Sequence, residues 1–155
     1  MINPINLGTI IDHNQDVKLL PMDFSQEIRK RKDVYYSLGM RKGNKAIICH
    51  GNSYQFFADL FALWQIGVCC IPVDSQSGMN ELANLARHCQ ATLLVYADPF
   101  DTESFNATVS NTVTTVSSHE VCKEWVGSIR KSFRDQDVSW EDEALILYTS
   151  GSTGE

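Results

Sequence analysis

Residues 45–72 read KAIICHGNSYQFFADLFALWQIGVCCIP, and the fold turns on how that stretch is parsed. Lys45–His50 is an apolar run of strand length. Gly51-Asn52-Ser53 breaks it, and Asn52 with Gln55 three residues later forms a capping box that opens a helix. Phe56, Phe57, Leu60, Phe61, Leu63 and Trp64 recur at helical spacing as a wide apolar stripe, so this helix is expected to pack deeply as far as about Ile66. Gly67 stands where a left-handed residue closes a helix. Val68–Ile71 is a second strand, closed by Pro72. It shows no polar alternation, which suits a strand covered on both faces.

The same rhythm continues downstream. Residues 73–78, VDSQSG, form a loop. Met79–Cys89 carries Met79, Leu82, Leu85, Ala86 and Cys89 on one helical face, and Thr92–Tyr96 is a third buried strand. Strand, helix, strand, helix, strand between 45 and 96 predicts an α/β fold: a parallel sheet flanked by helices, with right-handed crossovers. Upstream, residues 1–24 read as an irregular segment with a short strand at Thr9–Asp12. Asp23 or Ser25 is expected to cap a helix running to about Leu38, with Ile28, Tyr35 and Leu38 on its buried face. Arg29-Lys30-Arg31-Lys32 within it reads as a solvated face in preference to an anion site.

Beyond the third strand the signal weakens. Val109–Val116 is rich in Thr and Val and is expected to contain a strand. Ser117 and Glu120 make another capping box, and Val121, Cys122, Trp125, Val126, Ile129 and Phe133 form the stripe of the helix after it. Asp135–Asp142 is an acidic loop. It leads to Ala144–Tyr148, an apolar run expected as a final buried strand. Residues 25–148 are thus the α/β core.

Composition narrows the function classes. One hundred and fifty-five residues suit one domain, 43% hydrophobic and 21% charged. A net charge of −6 provides no general pull towards nucleic acid or anionic lipid. No apolar stretch approaches the roughly 20 residues that span a bilayer. The five cysteines, Cys49, Cys69, Cys70, Cys89 and Cys122, form no C-x-x-C pair and read as reduced core thiols of a cytoplasmic protein. The four histidines lack metal-ligand spacing.

The chemistry concentrates in residues 149–155. After the apolar run come Thr149, Ser150, Gly151, Ser152, Thr153 and Gly154, then Glu155. Hydroxyls and backbone N–H groups suit polyphosphate, and glycine lets the main chain approach it closely. The glycines are three apart and no lysine follows, so this is not a Walker A loop. The competing reading of the same residues is a Gly/Ser linker behind a small α/β binding domain without nucleotide chemistry.

Residues 147–154, LYTSGSTG, resemble the phosphate-loop signature of the adenylate-forming superfamily: acyl-CoA synthetases, AMP-acid ligases and peptide-synthetase adenylation domains. The middle block resembles it too, through Leu38-Gly39, Gly43-Asn44-Lys45, Asn52-Ser53, Phe56-Phe57, Ile66-Gly67 and Ile71-Pro72-Val73-Asp74. Asn44-Lys45 departs from the family's usual Asp-Arg, His50-Gly51 from a usual Pro or Glu, and Ser75 from a frequent Pro. The resemblance implies a ligase that uses ATP and Mg²⁺ to activate a small-molecule carboxylic acid as acyl-AMP, then passes it to coenzyme A or a carrier-protein thiol. It assigns the ATP phosphates to Thr149–Gly154 and no catalytic residue to this stretch. It further implies that these 155 residues are an N-terminal portion, inactive alone, whose exposed final strand edge promotes self-association.

Overall fold

The computed structural model describes residues 8–109, 113–123 and 138–148. The elements follow in order: β1 (Ile10–Asp12), β2 (Val17–Leu19), α1 (Pro21–Ser37), β3 (Lys45–Cys49), α2 (Tyr54–Gln65), β4 (Cys69–Pro72), α3 (Met79–Cys89), β5 (Leu93–Tyr96), α4 (Thr102–Val109), β6 (Thr114–Ser117) and α5 (Ser118–Lys123). β1 and β2 form an antiparallel hairpin. The other four strands make one parallel sheet in the order β4-β3-β5-β6.

Side chains alternate across that sheet because successive strand residues point to opposite faces. Ala46, Ile48, Cys70, Leu93 and Val95 face the layer of α1 and α2, where Phe24, Ile28, Tyr35 and Leu63 are fully buried. Ile47, Cys49, Ile71 and Leu94 face the layer of α3 and α4, filled by Leu82, Ala86, Phe105 and Val109. Both faces are covered, which explains why the strands lack polar alternation.

The local signals explain most boundaries. Gly39 has φ +90° and terminates α1, with the Met40 amide reaching back to the Tyr35 carbonyl at 3.0 Å. Gly67, at φ +74°, closes α2 as expected. α3 spans the expected residues, and the Thr/Val-rich segment does contain β6.

Several expectations are corrected. α1 starts at Pro21, whose fixed φ and missing N–H suit a first helical position. Asp23 and Ser25 therefore lie inside the helix, and the Ser25 hydroxyl is buried without a hydrogen bond among the described residues. The cap of α2 is Ser53, one residue later than expected, its Oγ accepting from the Phe56 amide at 3.3 Å. Phe57, assigned to the packed stripe, is exposed. Arg31, assigned to a solvated face, is fully buried. The sequence reading also missed β2 and α4. The stripe of Trp125, Val126, Ile129 and Phe133 lies outside the described residues.

Candidate functional site

The carboxyl ends of β3 and β5 lie side by side, and their chains leave in opposite directions. β3 feeds α2 on one face of the sheet, whereas β5 feeds α4 on the other. Such a divergence opens a crevice at the strand ends, the usual place for ligands in open α/β sheets. A cleft of about 550 Å³ lies there. His50, Gly51, Asn52 and Ser53 form its wall after β3. Ala97 and Asp98 follow β5, and Ser118 and His119 follow β6.

Beneath the wall one carboxylate organises the side chains. Asp59 of α2 is fully buried. Its Oδ1 accepts from Arg31 Nη1 and from the Tyr35 hydroxyl, both on α1. Its Oδ2 accepts from Ser118 Oγ at 2.6 Å and pairs with His50 Nε2 at 2.9 Å. Arg31 Nη1 also donates to Ser118 Oγ at 2.9 Å, and Arg31 Nε to Glu27 at 2.8 Å. Burial pulls the Asp59 carboxyl up, but the Arg31 charge and the His50 hydrogen bond outweigh it and hold the group below the ordinary aspartate value. Burial, then the Asp59 charge, push the Tyr35 phenol well above its usual value.

The hairpin closes the cleft from above. Asp12 at its turn accepts the Tyr54 amide at 2.9 Å through Oδ2, and the Asn14 and Gln15 amides through Oδ1. The Gln15 and Gln55 side-chain amides exchange two hydrogen bonds of 2.9 Å. Asp12 and Ser53 thus satisfy two of the first N–H groups of α2, those of Tyr54 and Phe56, from within the chain.

The run before the hydroxyl-rich loop lies at the opposite margin of the sheet. Cys70 pairs with Leu145 in parallel, through Cys70 N to Ala144 O at 2.9 Å and Ile146 N to Cys70 O at 3.0 Å. Trp64 Nε1 donates to the same Ala144 carbonyl at 2.6 Å, and Lys42 Nζ meets Asp142 at 2.7 Å. This pairing is a single bridge, shorter than the strand expected over Ala144–Tyr148. Leu145, Leu147 and Tyr148 are exposed because no further strand covers their outer side among the described residues. Ile146 turns into the core beside α3. Thr149, Ser150, Gly151, Ser152, Thr153 and Gly154 lie outside the described residues, so the loop expected to hold phosphate has no geometry here.

None of the crevice residues was read from sequence as functional. The signal for Arg31 was present: Phe24, Ile28, Arg31 and Tyr35 share one helical face, so the spacing places a cation among core positions. Asp59 sits similarly with Ala62 and Leu63 on α2.

Comparison with known proteins supplies the family. A crotonobetaine/carnitine–CoA ligase of Escherichia fergusonii is 28% identical over 145 residues, 85% of this chain and 28% of the relative. The Shigella flexneri protein of the same name is 27% identical over 145 residues, with the same coverage of each chain. The chain thus spans little more than a quarter of these relatives. Among solved structures, o-succinylbenzoate CoA synthetase from Bacillus subtilis, in complex with the acyl-adenylate intermediate, superposes with a TM-score of 0.76 at 18% identity. That alignment covers 90% of this chain and 35% of the synthetase. The NpsA N-terminal subdomain from Klebsiella oxytoca gives 0.75 at 22% identity, covering 98% of this chain and 36% of its own. Both show the same fold. Residues 34–155 match the AMP-binding enzyme family, and the chain belongs to that family of adenylate-forming proteins.

Proposed function

We propose that this chain is the N-terminal part of an ATP-dependent ligase that activates a carboxylic acid as acyl-AMP and transfers it to coenzyme A or another thiol. The observation that carries this reading is the uninterrupted LYTSGSTG of residues 147–154, following a segment that pairs in parallel with β4. A carboxylate is a poor electrophile, and joining it to AMP provides a leaving group. The carboxylate oxygen attacks the α-phosphorus, the bond to the β-phosphate oxygen breaks, and pyrophosphate leaves with the electron pair. The work of the protein is to hold the departing phosphates in line and to stabilise their charge.

The donor set of residues 149–154 fits that work. Thr149, Ser150, Ser152 and Thr153 offer four hydroxyls, and Gly151 and Gly154 allow close main-chain approach. For Mg²⁺ the described residues offer no ready cage: no group of three His, Cys, Asp or Glu side chains stands together among them. The ion would draw its ligands from phosphate oxygens and from residues outside the described set, as Mg²⁺ commonly does. No helix among the described residues is long and apolar enough to cross a membrane.

Two measurements test the reading. Titration of the 155-residue chain with ATP or pyrophosphate should shift the backbone amide resonances of residues 149–154, and Ser150→Ala/Thr153→Ala should remove the response. Silence of those amides at saturating nucleotide would refute the phosphate-loop assignment. Acid-dependent ATP–pyrophosphate exchange should be absent from this chain alone, and present in the longest protein that continues its reading frame. Crotonobetaine and carnitine are the first acids to try, since they name the relatives.

A further inference from the structure

We propose that the slot between the end of α2 and residues 138–144 binds a quaternary ammonium ion, the trimethylammonium head of a free small molecule. Neither the crevice nor the proposed ligase reaction draws on it. Phe61 and Trp64 line the slot from α2, and Trp140 lines it from the facing segment. The Phe61 and Trp64 rings meet edge to face, with centroids 5.6 Å apart. Trp140 is carried on a turn closed by two hydrogen bonds, from the Ser139 amide to Asp142 Oδ2 at 2.7 Å and from the Asp142 amide to the Ser139 carbonyl at 3.3 Å. It is 86% exposed, although an indole gains more than most side chains from being covered. The cavity measures about 120 Å³. An apolar cavity of about 150 Å³ accepts benzene, which is similar in size to a trimethylammonium group.

Charge and hydrogen bonding select the ligand. No lysine, arginine or histidine lines the slot among the described residues, whereas two carboxylates do, Asp142 and Glu143. Lys42 answers Asp142 at 2.7 Å, and Glu143 has no ion pair among the described residues. Several donors at the slot are spent within the chain: the Gly67 amide on the Trp64 carbonyl at 3.0 Å, the Val68 amide on the Leu63 carbonyl at 3.1 Å, and the Trp64 indole on the Ala144 carbonyl at 2.6 Å. An anion therefore finds no counter-charge there and few donors. An unanswered carboxylate beside three aromatic rings instead suits a cation held over their faces. A quaternary ion fits better than a primary ammonium, because it has no N–H that needs an acceptor and its charge is screened by methyl groups, so it leaves water at lower cost. The same carboxylates oppose a phosphate joined to the choline oxygen, which favours free choline over a phosphocholine headgroup.

The experiment titrates the 155-residue chain, ¹⁵N-labelled at its indoles, with choline, with its neutral isostere 3,3-dimethyl-1-butanol and with phosphocholine. Choline should move the Trp140 indole signal, which is identified by its loss in Trp140→Leu, and the N-methyl protons should shift upfield in the ring currents. The isostere and phosphocholine should each bind about fivefold more weakly or worse. Trp140→Leu, a substitution at an exposed position, should weaken choline binding about fivefold at an unchanged thermal midpoint, and Trp140→Phe should keep most of it. Glu143→Gln should weaken it about twofold and flatten its dependence on salt. Absence of choline binding, equal binding of the isostere or of phosphocholine, or an unchanged affinity in Trp140→Leu would each overturn the assignment. The titration of residues 149–154 is read from different resonances, so this site and the phosphate loop stand or fall separately.

Discussion

Replacing Arg31 by Met tests whether the buried carboxylate depends on its cation. The two side chains are similar in length, so little volume is lost at a site where Arg31 is fully buried. What changes is the charge, together with the hydrogen bonds that Arg31 donates to Glu27 and Ser118. Asp59, also fully buried, would keep its contacts with Tyr35, His50 and Ser118 and lose its pairing with the guanidinium. Removing one partner of such a pair costs about 3–5 kcal/mol, because the remaining charge stays out of water. A domain of this size has roughly 5–15 kcal/mol in hand, so the variant should fold but sit close to its limit. With a urea slope of about 2 kcal/mol per molar, the midpoint should fall by roughly 2 M.

The pH dependence separates charge from packing. In the native chain the Asp59 carboxyl lies below its ordinary value, so its contribution is whole above the unfolded value of 3.8 and is lost only as the pH falls through the lower folded value. Without Arg31, burial dominates and lifts the folded value above the unfolded one. The penalty in Arg31→Met is then largest at neutral pH and shrinks as the pH falls through that raised value, where the carboxyl takes a proton. Adding Asp59→Asn should recover about half of the loss at pH 7, since the uncompensated charge is gone. Urea titrations followed by far-ultraviolet circular dichroism at pH 7 and pH 5 provide the comparison. An Arg31→Met cost below about 1 kcal/mol, or an equal cost at both pH values with no recovery in the double variant, would refute the reasoning.

Three other outcomes follow from particular contacts. Gly67→Ala should destabilise by about 2 kcal/mol in the same titration, since φ is +74° and the new Cβ would lie 2.9 Å from Lys42 Cγ and 3.2 Å from its Cα; an unchanged midpoint would contradict the close approach. The hydrogen bond from the Tyr54 amide is the main cause holding Asp12 below 3.8, so its contribution is whole above that value and lost as the pH falls through the lower folded one. The thermal midpoints of the native chain and Asp12→Asn should therefore differ at pH 6 and converge by about pH 2. Burial, then the nearby Asp74 charge, push the Cys49 thiol up to about 11, so native protein at pH 8 should resist iodoacetamide at this position until denaturant is added; labelling at the rate of a free thiol would contradict its burial.

How much of this was legible in the sequence depends on what each residue had to signal. β3, α2, β4, α3 and β5 were readable because buried parallel strands are unbroken apolar runs and because Gly39 and Gly67 mark helix ends through their positive φ. β2 was hidden because three residues paired in a hairpin carry too little pattern to separate from a loop. α4 was hidden because its buried face is reduced to Phe105 and Val109, and its start rests on Asp101 accepting the Ser104 amide. The residues proposed to hold phosphate, Thr149–Gly154, were legible as a motif and lie outside the described residues. The crevice was not legible at all. His50, Asp59 and Ser118 are separated by up to 68 positions, and only the strand order brings them together.

Arg31 shows why composition misleads here. A run of four basic residues has the average properties of a wet surface, and the exposure of Arg29 fits that average. Helical periodicity overrides it at one position, placing Arg31 in line with Phe24, Ile28 and Tyr35. A hydrophobic pair would fill the same space at lower desolvation cost, so stability alone does not account for Arg31 and Asp59. The pair does what leucines cannot. One carboxylate fixes a residue after β3, a residue after β6 and two side chains of α1 relative to one another. Of these, His50 and Ser118 line the crevice, and Asp59 ties both of them to α1. The buried ion pair is therefore best understood as what orients the site, with its stability cost borne by the two apolar layers on either side of the sheet.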